Sequence, residues 1–207
     1  MAGKKKNTIL KDSLILFLIT AVAGLLLAFV NEITKGPIEE QRLNAKAEAC
    51  QAVFPDAVTF DEADETFFAG VNTFQWDNPY TKMTIDNVYL AKDVTGALIG
   101  YVINISTKEG YGGGISICMG IRNDKTINGI SVLSSNETVG LGLEADKVLC
   151  PQFANKNEDS YVYTKTGAAA PNEIDAISSA TITTDAFVNM VNAGLAYFEI
   201  ITVGGGN

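Results

Sequence analysis

Asp175-Ala176-Ile177-Ser178-Ser179-Ala180-Thr181-Ile182-Thr183 sets four hydroxyl side chains directly ahead of a helical pattern. Beyond it Phe187, Met190, Val191, Leu195 and Phe198 recur at the three-and-four spacing of a buried stripe. This spacing predicts a helix that begins near Thr184-Asp185. The free N–H groups of its first turn and the positive end of its dipole would point back toward Thr181, a ready place for a phosphate. Hydroxyl runs before helices also arise because their oxygens cap those same N–H groups. On this stretch alone the cap is the commoner explanation, so the rest of the chain decides.

Working back from the helix, four segments read as strands bounded by turn signals: Asn87 to Ala91, Ala97 to Thr107, Gly114 to Arg122 and Thr126 to Leu133. Thr95-Gly96 and Asn123-Asp124 supply turns between them. In the second segment Ile99, Tyr101, Ile103 and Ile105 alternate with mostly small or polar residues, the period of a half-buried strand. Asp56 to Asn78 is acidic and irregular, with Phe60, Phe67, Phe68, Phe74 and Trp76 interspersed. It reads as a loop-rich region whose aromatics pack on the domain. Strands in a block with helices at either end predict one α+β domain over 56–203, with a mainly antiparallel sheet.

The N-terminus has a different character. Ser13 to Asn31 holds 19 residues without a charge, close to the ~20 that cross a bilayer as a helix. Lys4, Lys5, Lys6 and Lys11 precede it against the single acid Asp12. This bias places residues 1–12 in the cytoplasm and the domain outside. Ala21-Val22-Ala23 resembles a signal-peptidase site, but the apolar run continues to Val30, which favours an uncleaved anchor. Pro37 suits a first helical position, so a separate juxtamembrane helix is expected within 32–55 and ended by Phe54-Pro55. Gly204-Gly205-Gly206 reads as a disordered tail.

Composition removes several function classes. The net charge is −9 despite the basic N-terminus, the wrong balance for nucleic acid. The chain has no His, which excludes His-dependent triads and the usual haem ligand. Cys50, Cys118 and Cys150 are too few for a four-Cys iron–sulfur site, and no metal site or catalytic residue is assigned. One disulfide is compatible with an outside location.

Two further segments bear on a ligand. Gly110-Tyr111-Gly112-Gly113-Gly114-Ile115 lies between two strands, where glycines permit positive φ and a close ligand approach. It lacks the Gly-Lys-Ser/Thr of a P-loop and does not open a helix. Asn136-Glu137-Thr138-Val139-Gly140-Leu141-Gly142 follows the fourth strand and offers backbone donors beside an apolar side chain. A flavin ring needs both.

Together the three segments resemble the FMN-binding domain of RnfG, the G-type member of the Rnf electron transport complex. They also resemble its relative NqrC, the C-type member of the Na+-translocating NADH:quinone oxidoreductase (Nqr). That family has a Gly-Tyr-Gly-Gly segment, a Glu-Thr-Pro-Gly-Leu-Gly loop and Asp-x-x-Ser-Gly-Ala-Thr in this order, behind a single N-terminal anchor. Val139 replaces the usual Pro and Ser179 the usual Gly. The short chain is more similar to RnfG. The resemblance implies FMN bound covalently as a phosphoester of Thr181, installed from FAD by a flavin transferase. Ser178, Ala180 and the N–H groups near Thr183 and Thr184 would surround the phosphate. Glu137, Thr138, Leu141 and Gly142 would border the ring, and Asp175 would order the loop or serve the transferase.

The function so implied is an electron relay within an ion-translocating (Na+ or H+) ferredoxin:NAD+ oxidoreductase. Other Rnf-type membrane and iron–sulfur subunits would supply the remaining centres, with no independent turnover by this chain. The alternatives are the equivalent Nqr protein, a free-standing extracytoplasmic FMN protein, and a flavin-free binding module.

Overall fold

The computed structural model describes residues 2–63 and 80–204. Phe67, Phe68, Phe74 and Trp76 therefore lie outside the described residues, as does the tail beyond Gly204. The first element, α1, runs unbroken from Ala2 to Val53 and carries Pro37 in its interior. The helix start expected at Pro37 is therefore absent. Pro37 removes one backbone donor, while the Glu, Gln, Arg, Leu, Ala and Lys residues that follow it are strong helix formers and carry the helix on. One window of 18 residues within α1 has a mean hydropathy of 2.7 with none of it buried, long and apolar enough to cross a membrane. Inside the span Thr20 donates its hydroxyl to the Leu16 carbonyl at 3.0 Å, so that polar group needs no water.

The chain divides into two compact units, 1–45 and 46–207. Within the second, five strands form an antiparallel meander in the order β1-β2-β3-β4-β5. They are β1 Thr59–Glu62, β2 Met83–Lys92, β3 Leu98–Gly110, β4 Gly113–Arg122 and β5 Ile127–Ser135. Two short helices follow, α2 Ala145–Val148 and α3 Cys150–Phe153, then a parallel pair, β6 Val162–Thr164 and β7 Glu173–Asp175. The last helix, α4 Thr181–Gly204, closes the domain. This is the expected α+β architecture. β1, β6 and β7 are additions, each only three or four residues long and too short to show a period.

Period-two alternation sorts the sheet onto two faces. Ile103, Ile105, Ile117, Met119 and Ile121 point to the main core, where the stripe Phe187, Met190, Val191, Leu195 and Phe198 of α4 is buried against them. Val102 and Cys118 point to the opposite face, which also is covered, by Ala49, Cys50, Val53 and Phe54 at the end of α1. Buried on both sides at its centre, β3 is not the half-buried strand its alternation implied. Ile99 joins the outer cluster rather than the Tyr101 face, beside a register shift between Ala91 and Lys92 of β2. The Phe54 ring sits where only glycine leaves room: a Cβ on Gly100 would lie 2.5 Å from Phe54 Cζ, and one on Gly120 2.9 Å from Cδ2.

Candidate functional site

Only part of the hydroxyl run precedes α4: Ser178 and Ser179 stand ahead of it, while Thr181 and Thr183 lie in its first turn. The helix begins at Thr181, one turn earlier than the apolar stripe implied. Its first intrahelical bond runs from Thr184 N–H to the Ala180 carbonyl at 3.0 Å. The Thr184 hydroxyl donates to that same carbonyl at 2.9 Å and accepts from Ile177 N–H at 3.1 Å. Ala180 thus occupies the N-cap position, where an alanine has no side-chain oxygen for the N–H groups of Ile182 and Thr183. Immediately before it, Ser179 takes φ +62°. Holding a residue with a Cβ in this left-handed region costs roughly 1–2 kcal/mol.

Three chain segments meet around this helix start, and Glu137 joins them. Its carboxylate is buried, with Oε1 accepting from Gly112 N–H at 3.1 Å and Oε2 from the Thr183 hydroxyl at 2.8 Å. Glycine walls the carboxylate in: a Cβ on Gly142 would fall 2.5 Å from Glu137 Oε2 and 2.7 Å from Thr183 Oγ1. One on Gly110 would fall 2.3 Å from Oε1. The glycines of the hairpin and of the loop are therefore needed for close approach to Glu137.

Between these parts, Thr138-Val139-Gly140-Leu141 makes a turn closed by Leu141 N–H to the Thr138 carbonyl at 3.1 Å, with Gly140 at φ +76°. Positive φ at the third position is the type II arrangement, which favours Pro at the second. Val139 holds that second position, 79% exposed. Val139→Pro is expected to stabilise the domain by about 0.4–1 kcal/mol by restricting the unfolded chain. The check is a higher denaturation midpoint in urea at unchanged slope.

The three segments enclose a cavity of about 490 Å³, within the 300–1,000 Å³ usual for small-molecule sites. The hairpin contributes Tyr111; the loop contributes Glu137, Thr138, Leu141 and Gly142; the helix start contributes Ser179, Ala180, Thr181, Ile182 and Thr183. Thr181 is partly exposed, while Thr183 and Thr184 are buried. Ser178 and Thr184 do not line the cavity: Ser178 is exposed outside it and Thr184 lies behind, its N–H and hydroxyl both engaged. Asp175 also stands apart. It accepts from Ala168 N–H at 2.6 Å and its own N–H donates to Gln152 at 2.7 Å, an arrangement that orders the approach to the motif.

Tyr111, Ser179 and Ile182 line the cavity without being among the sequence-derived candidates. Tyr111 stands at the tip of the β3–β4 hairpin, 73% exposed. Ile182 carried a readable signal, an apolar side chain off the buried stripe of α4 and exposed. A second cavity of about 520 Å³ lies across the sheet, lined by Lys82, Thr84, Ser106, Ser116 and Ser134 among others. It contains no part of the hydroxyl run.

Comparison with known proteins bears on this geometry directly. Residues 110–196 match the family model of the FMN-binding domain, which spans all three cavity segments, and residues 1–53 match that of the RnfG N-terminal region, which ends where α1 ends. The G subunit of the Na+-translocating ferredoxin:NAD+ oxidoreductase complex of Acetobacterium woodii is 34% identical over 196 residues, 93% of each chain. The chain belongs to the RnfG family of ion-translocating oxidoreductase complexes. Another family member, from Methanosarcina acetivorans, is 28% identical across 95% of this chain and 97% of its own. The crystal structure of NqrC from Shewanella oneidensis shares the fold of this RnfG family chain, with a TM-score of 0.50 over 74% of this chain and 88% of that one, at 17% identity.

Proposed function

We propose that this chain is the FMN-carrying electron-relay subunit of a membrane ion-translocating ferredoxin:NAD+ oxidoreductase, with the FMN phosphate esterified to Thr181. Its relatives in name and full length are subunits of such complexes, and its own domain matches the FMN-binding model. The observation that carries the attachment point is the state of the hydroxyls around the cavity. Thr183 donates to Glu137 and Thr184 to Ala180, both from buried positions. Thr181, Thr138 and Ser179 line the cavity with no side-chain hydrogen bond among the described residues, and of these Thr181 is the one that stands in the first turn of α4, where a phosphate meets the free N–H groups.

Attachment would join the Thr181 oxygen to the flavin-side phosphorus of FAD as the pyrophosphate bond breaks, releasing AMP and the hydroxyl proton, with catalysis supplied by the transferase. The residues present fit the product. The first turn of α4 offers N–H groups and a positive dipole end to a phosphate, and Tyr111, Leu141 and Ile182 give apolar walls to a planar ring. Glu137 holds hairpin, loop and helix in register around it. When bound, the flavin supplies the electron transfer, and the protein supplies position and electrostatics. The Lys4, Lys5, Lys6 and Lys11 cluster before the span orients the domain outward.

The role is tested in membranes holding the assembled complex. Reduced ferredoxin should bleach the absorbance of the flavin on this chain, and NAD+ should restore it. A flavin that stays oxidised while ferredoxin:NAD+ turnover continues would remove this chain from the electron path.

A further inference from the structure

We propose that Cys50 and Cys118 form a disulfide that fastens the last turns of α1 to the outer face of β4 in the mature protein. The two residues come from distant parts of the sequence and meet in one apolar cluster, with Val53, Phe54, Ala91 and Val102 around them. Both are buried in that cluster, with the two thiols close enough to perturb one another. Neither has a role in the flavin cavity. The bond uses the outward orientation proposed above, since disulfides persist outside the cytoplasm, but it is independent of flavin attachment.

Two neighbours favour the exchange chemistry. Lys46 lies one helical turn before Cys50, with its ammonium close enough to act on the thiol and to donate to Asn87 at 3.3 Å. Asn104 stands directly opposite Cys118 in the β3–β4 register, which puts the two Cβ atoms about 5 Å apart on one face. Its amide is buried, and neither its nitrogen nor its oxygen has a hydrogen-bond partner among the described residues. A buried amide without a partner is uncommon, and here it offers a donor to a developing thiolate. Cys150 stands apart from this pair, in the main core beside Asp146.

The step balances as a thiol–disulfide exchange. Before the outer cluster closes over it, a thiolate at Cys50 attacks an external disulfide, such as oxidised glutathione, and releases one thiol as a mixed disulfide forms. Cys118 then displaces the second external thiol. The two protein thiols are oxidised to one S–S bond and the external disulfide is reduced to two thiols. Burial of the outer cluster afterwards shields the bond from reversal.

The test quenches cells producing the full chain in acid, then alkylates the denatured protein without reductant and maps its peptides. Protease treatment of intact cells establishes in parallel that the domain is outside. The expected result is a peptide linking Cys50 to Cys118, two hydrogens lighter than the separate thiols, with Cys150 alkylated. Alkylation of both Cys50 and Cys118 in a domain shown to be outside would overturn the proposal. A second measurement compares denaturation with and without dithiothreitol. Reductant should lower the midpoint of the wild type and leave that of Cys50→Ala/Cys118→Ala unmoved; equal shifts in both would also overturn it.

Discussion

Thr181→Ala is expected to abolish covalent flavin on a domain that remains folded, while Thr183→Ala keeps the flavin and weakens the fold. The Thr181 hydroxyl is partly exposed and holds no side-chain hydrogen bond among the described residues. Removing it should change stability by no more than about 0.5 kcal/mol, as for other unengaged surface positions. Thr183 is the opposite case. Its hydroxyl donates to the buried Glu137 at 2.8 Å, and deleting it leaves that carboxylate oxygen short of a donor, a loss of about 1–3 kcal/mol. Protein co-expressed with a flavin transferase separates the two by in-gel flavin fluorescence after denaturation and by thermal melting. Fluorescence retained in Thr181→Ala would contradict the assignment.

Gly112→Ala is expected to produce the largest loss of stability among single substitutions at the site. A Cβ there would lie 2.0 Å from the Asn136 carbonyl oxygen and 2.7 Å from its carbon. Both are backbone atoms, so no side-chain rotation relieves the overlap. Either the hairpin or the loop must move, and the bond from Gly112 N–H to Glu137 goes with it. Overpacking of this kind costs about 1–3 kcal/mol or more, and the lost charged hydrogen bond places Gly112→Ala at the upper end. A loss near 3 kcal/mol lowers Tm by about 6–12 °C in a domain of this size. Because the displaced hairpin carries Tyr111 of the cavity, flavin loading should fall with it. A Tm within about 2 °C of wild type would show that the hairpin is free to shift away from the loop.

The sheet and the closing helix were legible because each rests on a local pattern. Turn residues such as Thr95-Gly96 and Asn123-Asp124 bracket the long strands, and the α4 stripe is periodic over several turns. The differences from the sequence reading have separate causes, some local and one tertiary. α4 starts at Thr181 because the Thr184 hydroxyl bonds to both Ala180 and Ile177, contacts that a list of helix formers does not contain. β3 is buried on its outer face because Phe54 reaches back to a glycine-lined slot from a separate part of the chain. Helix α1 continues through Pro37, although its sequence offers a start there.

The site shows the same division. Glu137, Thr138, Leu141, Gly142, Ala180, Thr181 and Thr183 gather around one cavity, and Ser178 and Thr184 fall outside it. What the sequence could not show is why the three motifs occur together. The answer is the bridge from Gly112 through Glu137 to Thr183, which exists only once hairpin, loop and helix have met. It also explains how neighbouring threonines of one run are kept distinct.

The most direct measurement is intact mass with peptide mapping of the wild-type chain produced with an active flavin transferase. The expected product is heavier by one FMN less one water, with the added mass on the peptide carrying Thr181 and fragment ions assigning it to that residue. An adduct on Ser178, Ser179 or Thr183, or no adduct while a known substrate of the same transferase is modified, would contradict it.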